Sequence, residues 1–362
     1  MKPSRFRVYT PDNKNRNGAM AIILVFAIAT ASFFMVNRFN EECMYEYRIA
    51  LTRANGYQAS LLAKAGLQGA ISAIDNIPVE ILYKTGIAFN PPPIPIGPGE
   101  VSYLIRPEDG KLNINTIVNL FDDEPNYKAM DIFSRLFEQL GHDKNLLFAV
   151  VDWIDTNSQP MGGGAESVWY GSQSPPVEIK NGYLYSLTEM MSIRGFDRDT
   201  LFVAKRDEKE ESSFLSEEEK IMINSEDFIL SSNITAYMDE GEMLDEKINI
   251  NAAPYFVLMS LSDFMTREAV LRIIKLRLEN NGYIKNLTTL QNYPEFKINT
   301  TANLTLYDEL AGGGSDVSRG RIKTTSDVYR ITGLGRVNNK VVRSVSVLYN
   351  VKNRKIIYYT ED

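Results

Sequence analysis

The residues from Asp152 to Tyr170, DWIDTNSQPMGGGAESVWY, combine carboxylates with small and amide-bearing residues. The carboxylates belong to Asp152, Asp155 and Glu166. A calcium ion in a protein takes about 6–8 oxygen ligands in a flexible geometry, and a loop of Asp, Asn and Gly can fold around it. One interpretation of the segment is therefore a calcium site. The alternative is that Asp155 and Asn157 only cap turns through their side chains.

Composition limits the other chemistry that the chain can perform. The sequence contains one cysteine, Cys43, and one histidine, His142, so it has almost no material for zinc sites or for Ser-His-Asp or Cys-His catalysis. A single cysteine also excludes an intramolecular disulfide. Cys43 follows an apolar run and is predicted to be an ordinary helix residue, whereas His142 follows Gly141 between two predicted helices and is predicted to be a solvated surface residue.

Residues 249–283 resemble the helix-hairpin-helix modules of DNA-binding proteins. Those modules hold phosphate on a glycine-rich hairpin, but the hairpin at residues 261–266 has no glycine and contains Asp263, which would repel phosphate. The formal net charge of −7 and the pI of about 5.1 also argue against a nucleic-acid partner. We therefore predict a packing or protein-contact module that does not bind nucleic acid.

The segment Gly333-Leu334-Gly335 is a second motif that we exclude. A dinucleotide-binding loop needs a third glycine at the right spacing and a position between a strand and a helix. The third glycine is missing, and the motif is interpreted as lying between two strands.

The elements that carry these residues begin with a basic leader at residues 1–18. Its basic residues are opposed by Asp12 alone, and such an excess keeps a segment on the cytoplasmic side of a membrane. The basic residues are Lys2, Arg5, Arg7, Lys14 and Arg16. An aspartyl peptidase could cut after Gly18, because glycine offers an unhindered backbone. The cut would leave Ala19 as the new N-terminus.

Residues 19–36 carry no charge, and as a helix they would span roughly 27 Å, just enough for a bilayer core. Apolar residues continue at helical spacing to residue 77, and Pro78 follows. The pattern predicts one helix of about 55 residues over 19–77, whose first third lies in the membrane and whose remainder lies against a globular head. An ordinary signal anchor is the alternative on topology alone.

Beyond this helix the chain alternates between strand and helix patterns. Residues 90–99 are rich in proline and form a stiff connector, which excludes helix and central strand. Strands are predicted at 100–106, 327–334 and 341–351, the last two joined by a turn at 337–340. Residues 229–238 are predicted to be strand or turn, and the charged residues 205–220 a solvated linker or surface helix. Helices are predicted at 125–141, 143–154, 187–193, 197–205, 253–260 and 266–280.

A short internal echo links two parts of the chain. Residues 111–116, KLNINT, return as residues 247–252, KININA, and predicted helices follow both. A repeat of this kind suggests two related helical modules.

Taken together, these features resemble the type II secretion system protein K family of large minor pseudopilins. The resemblance covers nearly the whole chain and includes the leader as far as Gly18. It is carried by GKLNINT at 110–116, VVDWIDTNSQPMGGGAESVWY at 150–170, LTEMMSIRG at 187–195, KININAAP at 247–254 and TTSDVYRITGLGRV at 324–337.

The resemblance implies an α+β fold. A pilin-like N-terminal helix would pack on an antiparallel sheet, and a large, mainly helical insertion would form two related, SAM-like modules. The expected organisation is a prepilin leader at 1–18, the N-terminal helix at 19–77 with its transmembrane part at 19–36, the first part of the head at 78–110, a first helical module with the calcium loop at 111–204, a second helical module at 205–300 and the C-terminal strands of the head at 301–362.

The resemblance also implies a function without catalysis. The protein would be anchored by a single pass in the inner membrane of a Gram-negative bacterium, with its head in the periplasm. There it would form a complex with two smaller minor pseudopilins, which initiates and caps the pseudopilus and supports the export of folded proteins. The inner-membrane assembly platform and the prepilin peptidase would be further partners. A minor pilin of a type IV pilus is the alternative, and a signal-anchored periplasmic enzyme is a third.

Two sets of residues acquire roles through the resemblance. Most pilin-type subunits carry a glutamate at the fifth mature position, which pairs with the N-terminal amine of a neighbour, whereas this chain has Ile23 there. A subunit at the tip has no neighbour above it to supply that amine. In the calcium loop, Asp155 and Glu166 are the principal expected ligands. Asp152 and Asn157 are the weaker ones, because a family member often has an aspartate where this chain has Asn157.

Overall fold

The computed structural model describes residues 13–85, 89–205, 220, 222–239, 244–279, 282–300, 304–313, 320–338 and 341–362. The predictions for residues 1–12 of the leader, for most of the charged segment 205–220 and for part of the turn at 337–340 lie outside the described residues. The chain divides into two compact units, residues 1–58 and 59–362.

The first unit consists of the N-terminal part of a single helix, α1 (Asn13–Asn76). Its apolar stretch from Gly18 onward is long and apolar enough to cross a membrane by length and composition, and none of that stretch is buried within the chain. The predicted helix is confirmed, although it begins six residues before Ala19. It ends at Asn76 because Pro78 cannot continue it. One exposed, apolar N-terminal helix fits a single-pass membrane anchor.

The second unit contains a five-stranded antiparallel sheet of the order β1-β2-β9-β10-β11. The strands predicted at 100–106, 327–334 and 341–351 are confirmed, and β1 lies at an edge, as its prolines require. The prediction of strand or turn at 229–238 is wrong for Leu230–Asn233, which form a short helix before the two-residue strand Ile234–Thr235. The side chain of Asn233 donates to the carbonyls of Asp227 and Ile229 and closes this helical turn. The last strand was not predicted, because its sequence KIIYYTE does not alternate between apolar and polar residues. The strands of the chain are β1 (Ile94–Ile96), β2 (Gly99–Pro107), β3 (Leu112–Asn113), β4 (Val118–Asn119), β5 (Glu124–Pro125), β6 (Ile234–Thr235), β7 (Ile248–Asn249), β8 (Ile322–Lys323), β9 (Val328–Val337), β10 (Val341–Asn350) and β11 (Lys355–Glu361).

Residues 59–76 of α1 pack on one face of this sheet. The buried side chains of this part of the core are Ala63, Leu67, Ala70, Ile74, Ile105, Tyr329, Ile331, Val345, Val347 and Tyr349. The contact is close enough to exclude any side chain at two positions of β9. A Cβ at Gly333 would collide with the backbone of Ala63 and Leu67, and a Cβ at Gly335 with the backbone of Ala59 and Ala63.

The interpretation of Gly333-Leu334-Gly335 as a segment between strands is therefore wrong. Both glycines lie within β9, which runs to Val337, and they pair with residues of both neighbouring strands. The strand predicted at 327–334 therefore ends three residues short of the end of β9. The prediction that the motif does not bind a dinucleotide is untouched by this correction.

A mainly helical insertion leaves the sheet after β2 and returns at β9. Its elements share one large apolar core, and the predicted helices are found with shorter ends. The described helices are α2 (Val79–Thr85), α3 (Tyr127–Gln139), α4 (Leu146–Ile154), α5 (Ser167–Gly171), α6 (Arg198–Phe202), α7 (Leu230–Asn233), α8 (Tyr255–Ser260), α9 (Arg267–Glu279) and α10 (Leu306–Ala311). The predicted fold class, a long N-terminal helix on an antiparallel sheet with a helical insertion, is confirmed.

The echoed Asn-Ile-Asn segments perform the same task in the two halves of the insertion. The buried side-chain amide of Asn115 forms two hydrogen bonds with the backbone of Leu184. Its Oδ1 accepts from the Leu184 N–H at 2.8 Å, and its Nδ2 donates to the Leu184 carbonyl at 2.8 Å. Asn251 forms the same two hydrogen bonds with Ile284. Its Oδ1 accepts from the N–H at 2.7 Å, and its Nδ2 donates to the carbonyl at 3.0 Å. The first Asn of each segment accepts a hydrogen bond from the backbone of the second.

Leu184 and Ile284 belong to a second repeat, which was not predicted. Residues 183–196, YLYSLTEMMSIRGF, correspond to residues 283–296, YIKNLTTLQNYPEF, and each contains a 3₁₀ helix, Leu187–Ser192 or Leu287–Asn292. A short parallel strand pair accompanies each half, β3 with β6 and β7 with β8. These pairings cross the module boundaries expected at residues 204 and 300, and those boundaries stay predictions.

Buried ion pairs tie the insertion to the sheet at the point where the chain leaves it. The carboxylate of Glu108 accepts from the guanidinium of Arg330 on β9 at 2.9 and 3.1 Å, and from the hydroxyl of Thr235 at 2.6 Å. The neighbouring Asp109 accepts from the backbone N–H of Asp327 at 2.8 Å and pairs with Lys323. Both ends of the insertion are thereby held at the N-terminal end of β9.

The prediction that His142 is solvated is wrong. Its ring is 4% exposed and lies edge-on to Phe137, with 5.9 Å between the ring centroids. Gly141 takes a positive φ of 78°, which turns the chain inward, and the backbone N–H of His142 donates to the Phe137 carbonyl. Burial lowers the pKa of His142 to about 4, so the ring is neutral at pH 7.

The hairpin at residues 261–266 packs within the insertion, as predicted. The helices that flank it, α8 and α9, are part of the main apolar core. The carboxylate of Asp263, which was expected to repel phosphate, accepts from Arg135 on α3 at 2.9 Å. This contact joins the hairpin to the neighbouring helix.

Candidate functional site

The predicted calcium segment is a loop between α4 and α5. The sequence of α4, LLFAVVDWI, is almost wholly apolar, and the helix is buried along most of its length. Asp152 is thereby carried into the interior at the last turn of α4. Asp155 caps the helix in an extended conformation, and Glu166 is the residue before α5. The loop between them brings the three carboxylates to one place.

Asp152 organises the fold of this loop. Its side chain is fully buried, and its Oδ1 accepts from the backbone N–H of Met161 at 2.8 Å. Gly164 lies so close that a Cβ there would collide with Asp152 Oδ2. This contact explains one glycine of the Gly162-Gly163-Gly164 run. Burial raises the pKa of Asp152 above its usual range.

Asp155 and Glu166 are buried with few partners. Asp155 is 3% exposed and Glu166 is 6% exposed. Asp155 Oδ1, Glu166 Oε1 and Asp152 Oδ2 are buried oxygens without a hydrogen bond within the described part of the chain. Burial raises the pKa of Asp155 to about 7, and repulsion from Glu166, Asp152 and Asp123 adds to this effect. The pKa of Glu166 is raised by burial and then by Asp152.

Asn157, the fourth expected ligand, lies at the exposed side of the loop. Its Oδ1 accepts from the backbone N–H of Gln159 at 2.8 Å. This is the turn-capping role that was the alternative interpretation. The structure therefore brings Asp152, Asp155 and Glu166 together and gives Asn157 a structural contact.

The loop is also held in place by aromatic and cationic side chains whose contacts were not predicted. The ring of Tyr170 packs edge-on against Trp153 at 5.1 Å, and its hydroxyl accepts from the backbone N–H of Arg194 at 3.1 Å. The guanidinium of Arg194 lies over the Trp169 ring and donates to the carbonyl of Gly164 at 3.0 Å. Arg194 belongs to the LTEMMSIRG stretch, but its contact with the loop has no signal in the spacing.

A fourth acidic residue reaches the loop from the hairpin formed by β4 and β5. Asp123 accepts from the backbone N–H and the hydroxyl of Thr156, at 2.9 and 3.0 Å. Its φ of 56° is one that non-glycine residues rarely adopt, and Asp is among those that tolerate it. Sequence reasoning missed Asp123, because it lies far from the loop in the sequence.

The arrangement is an electrostatically unfavourable one unless a positive charge enters it. Buried carboxylates that repel one another bind either protons or a cation. Within the described residues, no three or more His, Cys, Asp or Glu side chains are arranged to hold a metal ion by themselves. The orphaned oxygens of Asp155 and Glu166 are hard donors of the kind that calcium prefers. The residues thus fit a hard cation that takes further oxygen ligands from the backbone or from water.

The other predicted site residues lie on α1 in the first unit. Gly18 has open space around its Cα, and Ala19 and Ile23 are exposed. The remaining residue types of interest form no catalytic arrangement in the described chain: His142 is buried without a side-chain hydrogen bond, and Cys43 is exposed on α1.

The carboxylate cluster predicts how stability depends on pH in the absence of metal. The pKa of Asp155 is about 7 in the folded chain, against 3.8 for a free side chain. The folded state therefore binds the proton more tightly, and the free energy of unfolding falls as the pH rises from 3.8 to about 7. In chelator at pH 8, Asp155→Asn should raise the midpoint of thermal unfolding by a few degrees, because the amide carries no charge.

The matched control is Asp131→Asn, which removes an exposed carboxylate from α3. Its melting curve should follow that of the unmodified chain at every pH. A metal-free melting temperature that rises from pH 5 to pH 8, or that Asp155→Asn lowers at pH 8, would contradict the description of the cluster.

Comparison with known proteins finds a match for the segment that contains this loop. Residues 110–205 match the family described as Type II secretion system (T2SS), protein K. The Type II secretion system protein K of Klebsiella pneumoniae is 26% identical over 194 residues, which cover 51% of this chain and 59% of the relative. A putative protein K of Escherichia coli strain K12 is 29% identical over 26% of this chain and 31% of the relative. The matches thus span about a third to three fifths of these relatives.

The fold has a counterpart among solved structures. A chain from the crystal structure of the GspK-GspI-GspJ complex of the enterotoxigenic Escherichia coli Type 2 Secretion System superposes with a TM-score of 0.55 and 14% identity, over 89% of this chain and 99% of that chain. The resemblance of this chain to type II secretion system protein K is therefore confirmed, in sequence across its first helical region and in fold across most of its length.

Proposed function

We propose that this protein is a minor pseudopilin of a type II secretion system that stands at the tip of the pseudopilus. The observation that carries the proposal is the fold match, which includes nearly all of a chain from a GspK-GspI-GspJ complex. The sequence match at residues 110–205 is independent support, because it rests on the insertion that contains the carboxylate loop.

The partners follow from the same comparison. The solved relative is part of a complex with GspI and GspJ, so this chain is proposed to assemble with two smaller minor pseudopilins. Its apolar N-terminal helix would lie in the inner membrane beside the assembly platform, and the second unit would lie in the periplasm. In this role it would initiate and cap the pseudopilus and support the export of folded proteins, without catalysing a reaction.

Two positions on α1 support the tip location and the processing. Ile23 offers no carboxylate to pair with the amine of a neighbouring subunit, and an unpaired carboxylate in the membrane would be costly. Gly18 stands just before the apolar stretch, so a prepilin peptidase would cut there and leave Ala19 as the first residue. The uncrowded surroundings of Gly18 are compatible with access by a protease.

Co-expression tests the assembly directly. The full chain should be expressed in a Gram-negative host together with its prepilin peptidase and the two smaller pilin-like proteins encoded beside it, extracted in mild detergent, and purified through a tag on this chain alone. We expect one complex that contains the three proteins in equal amounts. Intact mass spectrometry should show that this chain begins at Ala19.

The control is the same experiment with a Gly18→Leu variant, which should retain the leader. A chain that elutes alone would refute the tip complex. Partners that belong to a pilus rather than to a secretion system would favour the type IV pilus alternative. Cleavage of the Gly18→Leu variant at the same bond, or function without cleavage, would refute the proposed processing.

We further propose that the carboxylate loop binds calcium through Asp155 and Glu166. Asp152 would shape the loop from inside and add negative charge beside the ion, and Asn157 would close the exposed turn. The support is the pair of buried carboxylates with orphaned oxygens, which a cation would relieve of their mutual repulsion. Calcium would supply structural stability here and no chemical step.

Thermal unfolding of the purified full chain tests this proposal. Calcium should raise the melting temperature and a chelator should reverse the rise, because a ligand that binds only the folded state at about 100 times its Kd contributes about 2.7 kcal/mol. The double variant Asp155→Asn/Glu166→Gln should lose the response to calcium while remaining folded. Asp131→Asn should keep the full response. A melting temperature that calcium leaves unchanged in the unmodified chain would sink the proposal.

A further inference from the structure

The hairpin of β4 and β5 borders a surface cavity that the proposed function does not use. The cavity has a volume of about 840 Å³ and is named here the hairpin groove. Its apolar lining includes Val118, Leu120, Phe121, Tyr183, Met238 and Leu244. Phe121, at the tip of the hairpin, is 97% exposed, which makes it the most exposed large apolar side chain among the described residues.

The hairpin is restrained by hydrogen bonds from two residues outside it, Tyr183 and Thr156, and by one within it. The hydroxyl of Tyr183 accepts from the backbone N–H of Leu120 at 3.3 Å and donates to the Val118 carbonyl at 3.4 Å. The Oδ1 of Asn119 accepts from the N–H of Phe121 at 3.1 Å. Asp123 is bound by both donors of Thr156. The Phe121 ring is thus presented on a fixed backbone, so a partner would lose little entropy of this chain on binding.

An aromatic ring in this setting is typical of a binding anchor. The other highly exposed aromatic side chains lie mainly on α1, where Phe26, Phe33 and Phe34 belong to the apolar part that a membrane would cover. Phe121 lies in the second unit, far along the sequence from that stretch. Aromatic side chains that fill a pocket contribute strongly to protein interfaces, and a fixed, exposed one next to a groove indicates such a role.

The charges around the groove indicate what binds there. Asp122, Glu124 and Glu246 line it, and no lysine or arginine does so within the part of the chain that the structure describes. The carboxylate of Glu246 is kept in place by a 2.6 Å hydrogen bond from Asn126. A like-charged ligand would be repelled, so nucleic acid and an anionic lipid surface are excluded as preferred occupants.

We propose that the hairpin groove binds an extended segment of another protein, in which a large apolar side chain is flanked by lysine or arginine. The apolar side chain would pack against Phe121 and the groove, and the cations would meet Asp122, Glu124 and Glu246. A second copy of this chain is the less favoured occupant, because a symmetric contact would bring two sets of these carboxylates together.

Peptide binding to the full chain tests this inference. The chain is placed in nanodiscs of zwitterionic lipid, and fluorescein-labelled peptides are titrated and followed by anisotropy against empty nanodiscs. The probe peptide alternates lysine with leucine and phenylalanine. One control peptide has glutamate for lysine, and another has serine for the apolar residues. We expect the probe to bind at least about tenfold more tightly than either control, and its affinity to fall with added salt.

Variants of the groove make the test specific. Phe121→Ser and Glu124→Lys should each weaken binding of the probe by about tenfold or more. Val168→Ser is the matched control, because Val168 is also highly exposed but does not line the groove. Every variant should still assemble with the two smaller pseudopilins, which separates this inference from the proposed function.

Three results would overturn the inference. The first is equal binding of the lysine and glutamate peptides or no binding of either. The second is undiminished binding by Phe121→Ser with unchanged circular dichroism. The third is self-association of the unmodified chain that Phe121→Ser abolishes, which would assign the groove to a second copy.

Discussion

The structure depends on how closely α1 approaches β9. Gly333 and Gly335 leave no room for a Cβ, because the backbone of α1 occupies that space. The helix also has small residues at the contact. Ala59 and Ala63 are fully buried, and a Cβ on Gly66 would lie 2.6 Å from the carbonyl oxygen of Ser102 on β2. Helix and sheet therefore meet backbone to backbone, and the position of α1 fixes both β2 and β9.

The packing of α1 against β2 and β9 also determines the position of the insertion. The insertion begins after β2 and ends before β9, the two strands that α1 holds. The ion pair of buried Glu108 with partly exposed Arg330 spans the gap between these two points. Such a pair adds positional specificity, because either charge alone would be costly to bury. The carboxylate loop and the hairpin groove thus belong to an insertion that is attached where β2 ends and β9 begins.

Within the insertion, buried asparagines bind backbone groups that the apolar core cannot satisfy. Asn115 and Asn251 each satisfy both groups of a backbone amide in the interior, so one solution is used twice. The carboxylate loop follows the opposite principle, because its buried oxygens are left without partners. Unsatisfied buried charge is rare in a folded chain unless a ligand completes it.

Much of this organisation could be predicted from the sequence, and the failures have physical causes. Long periodic patterns predict α1 and the strands β2, β9 and β10, and the residue types of the loop predict Asp152, Asp155 and Glu166 as its carboxylates. The burial of His142 escaped prediction because a single glycine turn reverses its direction. The role of Gly333 and Gly335 escaped because a close approach between distant segments leaves no local pattern. Asp123 and Arg194 reach the loop only through the tertiary fold.

The close packing of α1 on β9 can be tested by placing one methyl group at position 335. Strand propensity alone predicts that Gly335→Ala stabilises the chain, because alanine suits a strand better than glycine. The close approach predicts the reverse, a loss of about 1–3 kcal/mol.

Hydrogen exchange of the full chain in detergent would measure the difference over residues 59–76 and 328–337, with Gly171→Ala as the control, since a Cβ at Gly171 meets open space. We expect both segments to lose protection by about ten- to a hundredfold in Gly335→Ala and to be unchanged in Gly171→Ala. Unchanged or increased protection of residues 59–76 in Gly335→Ala would contradict the close packing of α1 on β9.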